Sequence, residues 1–169
     1  MTAQALKKSE FREFASLVYD KAGIYLKDEK IGLVQARVGK ILRVRKIDSY
    51  SAYLALLKQD DSGELLVEFL NAISTNVTHF FREQAHFDFL VQKIIPEKEH
   101  QVAANKEPYV FRCWSAGCSK GHEPYTLAMT LLEHMDVRRW QIKILASDLS
   151  TKVLQEAMDG VYEEDHLKM

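Results

Sequence analysis

Cysteine is scarce in this chain. Cys113 and Cys118 are the only two in 169 residues, too few for a disulfide scaffold. No apolar run approaches the roughly 18 residues that a membrane span needs. The opening segment MTAQALKKSE lacks the apolar centre of a signal peptide. These absences place the expected protein in a reducing cytoplasm, with no direct membrane insertion. Neither sign of charge prevails: 23 Lys+Arg face 24 Asp+Glu, a formal net charge of −1. That balance argues against a nucleic-acid binder that is basic throughout, though not against a local basic patch. Only 3 Pro and 7 Gly leave room for long regular elements, mainly helices. What remains is 47% hydrophobic and 28% charged, a soluble globular composition. At about 150 residues per domain, the length predicts one domain or two small ones.

Residues 1–95 read as a run of helices. Ser9 can cap the first, with Glu10 in its opening turn. Phe11, Phe14, Ala15 and Val18 follow at i, i+3, i+4 and i+7, an apolar stripe. Gly23 supplies the stop. Asp28 can cap a second helix over 29–46, with Ile31, Val34, Val38, Ile41 and Leu42 on one side. At about 100° per residue, Arg37, Lys40, Arg43 and Lys46 fall on the opposite arc. Shorter helical patterns follow at 51–58, at 63–74 behind a Ser62 cap, and at 84–95, where Pro96 ends the run. The basic arc is either a solvated face opposite a core stripe or a docking surface for an acidic partner. Glu29, near its N-terminal end, weakens the second reading.

Residues 98–108 are polar and without periodicity. They read as a linker between a helical domain at 1–97 and a second domain at 109–169. There the pattern changes. YVFRCW (109–114) is strand-like, and SAGCSKG (115–121) is small and flexible. HEPYTLAMTLLEHM (122–135) is helical, with Pro124 early, where its missing N–H does no harm. IKILASD (142–148) is a second buried-type strand, and Ser150 caps a last helix that Gly160 stops. Strand, glycine loop, helix, strand, helix is the opening portion of a doubly wound α/β, Rossmann-like sheet.

In such a fold, a glycine turn after the first strand lets backbone approach a cofactor closely. An acid after the second strand, here Asp148, sits where ribose hydroxyls bind, two hydroxyls against two carboxylate oxygens. The alternative is a structural strand-turn-helix with an ordinary terminal Asp. The loop reads Gly117-x-x-x-Gly121, so the GxGxxG fingerprint of nicotinamide cofactors is absent, and no GK[ST] completes a P-loop. His122-Glu123 begins like HExxH, but Thr126 holds the second His position. Cys113 and Cys118 lack a second ligand pair, so no metal is expected. Neither cysteine has a clear base nearby for nucleophilic work.

Two segments are far more specific: NVTHFFRE (76–83) and WSAGCSKGHEPYTLAM (114–129), followed by ASD at 146–148. Together they closely resemble chemotaxis receptor methyltransferases of the CheR type. That family's first motif runs N-x-T-x-F-F-R and its second G-x-S-x-G-E-E-P-Y-S. The basic run LVQARVGKILR (33–43) resembles the same family's N-terminal domain, and the resemblance extends from about residue 10 to the end.

The resemblance implies a small helical domain joined to a cofactor-binding α/β domain. It implies an enzyme that moves a methyl group from S-adenosylmethionine to glutamate side chains on the signalling helices of chemoreceptors, leaving S-adenosylhomocysteine. It implies cofactor contacts from Asn76, Thr78 and Arg82, from Glu123 before the Pro-Tyr pair, from the loop backbone at Gly117, and from Asp148 at the ribose. Arg82 is the catalytic candidate, orienting either the substrate carboxylate or the cofactor. Receptor docking falls to Arg37, Lys40, Arg43 and Lys46. No general base is required, because a glutamate of reference pKa near ~4.3 is already ionised at pH 7. Alignment is then the main task.

Three departures from the family pattern stand out. Lys120 replaces a Thr or similar small residue, and His122 replaces the first Glu of the Glu-Glu pair. Both make the loop more positive, and each either repels a sulfonium or points to solvent. The chain also carries only about two strands of the sheet, without the family's later R-N-V-L-I-Y-F-like segment. The second expectation is therefore a non-catalytic receptor-binding or regulatory module with a vestigial cofactor site.

Overall fold

The computed structural model describes residues 5–74 and 76–164. Residues 1–4 and 165–169, at the outer ends of the two expected domains, lie outside the described residues, as does Thr75. The chain divides into two compact units, one ending at residue 75 and the other beginning at Asn76.

In the first unit, helix α1 (Lys8–Ala22) is opened by Lys7 and not by Ser9. The Lys7 N–H donates to the Glu10 carboxylate at 2.9 Å, and Gly23 closes the helix in the left-handed conformation. A 3-10 turn (Asp28–Lys30) leads into α2 (Ile31–Arg45). Ser49 Oγ accepts the Ala52 N–H to cap α3 (Tyr50–Gln59). Entry to α4 (Glu64–Ile73) is shared: Ser62 Oγ accepts the Glu64 N–H at 3.2 Å, and Asp60 accepts that of Leu65 at 2.7 Å. The predicted stripes form the core, with Phe11, Phe14 and Val18 of α1 and Val34, Val38 and Ile41 of α2 all buried. Phe14, Tyr53 and Phe69, from α1, α3 and α4, meet with ring centroids 5.3, 6.2 and 6.3 Å apart. Their tilted and edge-on geometry suits the aromatic quadrupole.

The second unit includes a helical stretch of three parts: α5 (Gln84–Phe89), a π-turn (Leu90–Ile94) and α6 (Ile95–Asn105). Pro96 therefore does not end the helix. A proline removes one i→i−4 bond and crowds the carbonyl four residues back. Here the Ile95 N–H reaches back five residues to Leu90, and the wider turn accommodates the ring. The expected linker at 98–108 is corrected by the same stretch, since α6 runs on to Asn105. Ile95 and Val102, at i and i+7, are both buried and anchor it. Two apolar residues suffice to dock a polar helix but are too few to show as a period. The boundary between units accordingly falls at 75 and not at 97.

Strands β1 (Val110–Ala116) and β2 (Gln141–Ser147) pair in parallel, from Val110↔Gln141 to Ala116↔Ser147. Helix α7 (His122–His134) connects them, and α8 (Thr151–Asp159), capped by Ser150, follows β2. Phe111 and Ile144 lie on the sheet face that packs with Ile95, Val102, Leu131 and Trp140. On the opposite face Trp114 stands beside Leu145, 65% and 62% exposed. A helical domain followed by a partial Rossmann-like sheet is the order the sequence predicts. No helix among the described residues is long and apolar enough to cross a membrane.

Candidate functional site

The loop after β1 is tied to the end of β2. The Gly117 and Cys118 N–H groups both donate to the Ser147 carbonyl, at 2.7 and 2.9 Å. Gly117 holds φ at 81°, a region that favours glycine, and nothing lies within 4 Å of where its Cβ would be. A ligand can therefore come directly against this backbone. Gly121 is glycine for the opposite reason, because a Cβ there would meet the Tyr162 hydroxyl at 2.6 Å.

Asp148 follows β2 and clamps the loop. Its Oδ2 accepts the Ser119 N–H and its Oδ1 the Ser150 N–H, each at 2.8 Å. A carboxylate oxygen has two lone pairs, so each oxygen keeps acceptor capacity for a further hydroxyl. Burial, and after it the Asp148 charge, pushes the Cys118 thiol up, and burial does the same to Cys113. Both stay protonated thiols at neutral pH and are poor nucleophiles.

The segment 76–83 packs onto the first turns of α7. The Phe80 ring meets His122 tilted, at 4.7 Å, and Tyr162 edge-on, at 4.9 Å between centroids. The Phe81 N–H donates to Thr126 Oγ1 at 3.2 Å. Ser119 Oγ donates to the Asn76 carbonyl at 3.3 Å. Asn76 and Asp148 are thus brought to the same loop residue, and Thr78 is half-buried in the same segment. Glu123 lies in the first turn of α7, where the helix dipole favours an acid. Its Oε1 accepts from Ser115 Oγ at 2.6 Å, which fixes the carboxylate at the end of β1. Arg82 is exposed, and its guanidinium donates to the Val77 carbonyl at 2.9 Å within its own segment. It makes no hydrogen bond to Glu123 or Asp148 among the described residues.

The two loop substitutions have definite surroundings. The Lys120 ammonium lies 3.1 Å from the Glu156 carboxylate of α8, and the Lys120 carbonyl accepts the Tyr162 hydroxyl at 2.6 Å. His122 is buried beside Phe80 and Tyr162. Lys120 therefore turns toward α8, and His122 belongs to the packing. Burial pushes the Tyr162 phenol up to about 12. Sequence reasoning missed Ser115, Ser119 and Tyr162. Ser115 is a small residue near the end of β1, Ser119 is a small loop residue whose partners are distant in the chain, and no periodicity marks Tyr162. Among the described residues, no group of three or more His, Cys, Asp or Glu side chains is placed to hold a metal ion.

The four basic residues of the first unit are not equivalent. Arg37 is half-buried, and its guanidinium donates to the Ala72 and Ser74 carbonyls at 3.0 and 2.6 Å. It binds the C-terminal end of α4, where carbonyls lack helical partners and the dipole favours a cation. Lys40, Arg43 and Lys46 are exposed and form no ion pair with another described residue. Of the four residues expected to dock a partner, three are thus exposed and Arg37 is engaged within its own unit.

Two family models match the chain. The all-alpha domain of CheR methyltransferases covers residues 9–74, and the SAM binding domain of CheR methyltransferases covers residues 76–169. The chain is similar to the chemotaxis protein methyltransferase of Borreliella burgdorferi, 41% identical over 164 residues that make 96% of this chain and 58% of that protein. It is similar to those of Salmonella typhimurium, at 37% identity, and Escherichia coli, at 36%. Each match covers 97% of this chain and 54% of the relative. The chain thus spans little more than half the length of these curated relatives.

Proposed function

The chain belongs to the CheR methyltransferase family, and from that premise we propose that it carries the first part of an S-adenosylmethionine site serving methyl transfer to glutamate side chains of chemoreceptors. The observation that carries the reading is the Asp148 clamp. A carboxylate at the end of β2 is held by two backbone N–H groups beside a glycine whose Cβ space is open. The residues fit the cofactor on their own chemistry. Asp148 retains acceptor capacity for the ribose hydroxyls, Gly117 admits close approach, and the anchored Glu123 supplies negative charge for a cationic ligand. Asn76 and Thr78 add polar groups from the neighbouring segment.

S-adenosylmethionine supplies an electrophilic methyl on a good leaving group when bound. The work left to this chain is orientation. Asp148 accepts the ribose hydroxyls, and the fixed loop holds the cofactor against the end of the sheet. Arg82, exposed and 3.8 Å from the Glu83 carboxylate, would exchange that exposed partner to orient an incoming carboxylate. The receptor glutamate is ionised at neutral pH, so no residue must remove a proton. Lys40, Arg43 and Lys46, with no ion pair to another described residue, present a basic face suited to acidic receptor helices, and attraction of that kind speeds encounter.

Calorimetric titration of the 169-residue chain with S-adenosylhomocysteine tests the reading. Saturable binding is expected. A folded chain, by circular dichroism, that binds nothing would refute a cofactor site here and favour the second reading, a receptor-binding module.

A further inference from the structure

Ser119 is the point where two separate parts of the site meet. It is buried and holds φ at 50°, a conformation that side-chain-bearing residues seldom adopt. In that conformation its N–H faces Asp148 Oδ2 at 2.8 Å, and its hydroxyl donates to the Asn76 carbonyl at 3.3 Å. The two partners lie 29 and 43 residues away in the chain.

We propose that Ser119 is a positioning residue of the cofactor site, whose hydroxyl holds the Asn76 segment in line with the carboxylate that its backbone holds. The inference rests on the cofactor reading above. The left-handed backbone is costly for serine and ordinary for glycine. Glycine at 119 would keep the N–H to Asp148 and relieve the backbone. A residue chosen for stability alone would therefore be glycine. The hydroxyl is what glycine cannot supply, and its target is the main chain of Asn76.

The test compares wild type, Ser119→Gly and Ser119→Ala in the 169-residue chain. S-adenosylhomocysteine is titrated calorimetrically, thermal unfolding is followed, and amide exchange is measured without ligand. Both variants should bind about three- to tenfold more weakly, the loss expected for one hydrogen bond. Ser119→Gly should nevertheless unfold at or above the wild-type temperature. Amides at 76–79 should exchange faster in both variants, with those of α8 unchanged. Affinity that falls while stability holds separates positioning from a merely structural contact. A Ser119→Gly chain that binds as tightly as wild type overturns the proposal and leaves the cofactor reading intact. Affinity and unfolding temperature that fall together in Ser119→Gly also overturn it. A folded wild-type chain that binds no ligand overturns the cofactor reading itself, and this inference with it.

Discussion

The ammonium of Lys120 and the carboxylate of Glu156 are 3.1 Å apart, joining the glycine loop to α8. Both side chains are partly exposed, 45% and 38%, so the pair adds little stability. Its consequence is local charge, because a cation in a loop proposed to hold a sulfonium is offset by an acid from α8. Glu156→Gln should weaken S-adenosylmethionine more than neutral S-adenosylhomocysteine, by about twofold at low salt. The difference should vanish at high salt. Equal losses for both ligands would show that the sulfonium does not sense Lys120.

Asp148→Ala removes a charged acceptor worth ~1.5–3 kcal/mol in a hydrogen bond. We expect S-adenosylhomocysteine to bind at least about tenfold more weakly by titration. The Ser119 and Ser150 N–H groups also lose their partner, so the melting temperature should fall as well. Asp148→Asn, which keeps one acceptor oxygen, should lose less of each. Wild-type affinity in the alanine variant would remove Asp148 from the site.

Arg37 and its basic neighbours should separate cleanly. Arg37→Ala deprives the Ala72 and Ser74 carbonyls of a charged donor and should cost the helical unit about 2 kcal/mol in denaturant unfolding. Lys40→Glu with Arg43→Glu should leave stability within about 0.5 kcal/mol while weakening binding to an acidic receptor-helix peptide. Peptide affinity unchanged by the reversals would make this face merely solvated.

The raised pKa of Tyr162 fixes the sign of a pH effect. Its folded value, about 12, exceeds the unfolded value of about 10. The stabilisation is therefore complete below about pH 10 and is lost as pH rises toward the folded value. Tyr162→Phe lacks the bond to the Lys120 carbonyl and should be the less stable protein at neutral pH. Chemical unfolding from neutral to strongly alkaline pH should show the gap closing across that window. A gap independent of pH would mean that the phenol titrates alike in both states.

Much of this molecule is written locally in its sequence. The stripe of Phe11, Phe14 and Val18 is the buried side of α1, and Gly23 and Gly160 stop their helices in the left-handed conformation. Ser150 caps α8. The order of strand, glycine loop, helix, strand and helix is legible too, as are the segments 76–83 and 114–129 that mark the family. Each depends on residues a turn or two apart, where periodicity and backbone preference decide.

Tertiary structure decided the rest. Arg37, Lys40 and Arg43 share one helical arc, yet only packing of α2 beside α4 turns Arg37 onto the Ala72 and Ser74 carbonyls. Pro96 looks like a terminus until the π-turn before it and the buried Ile95 and Val102 hold the helix together. Lys120 shows its charge in the sequence but not its partner Glu156. Ser119 is one small residue among several until the ends of β1 and β2 place it between Asn76 and Asp148. The sequence by itself determined most of the elements and the family. Which donor meets which acceptor was left to the packing, because a hydrogen bond across tens of residues forms only where folded elements bring its two ends within about 3 Å.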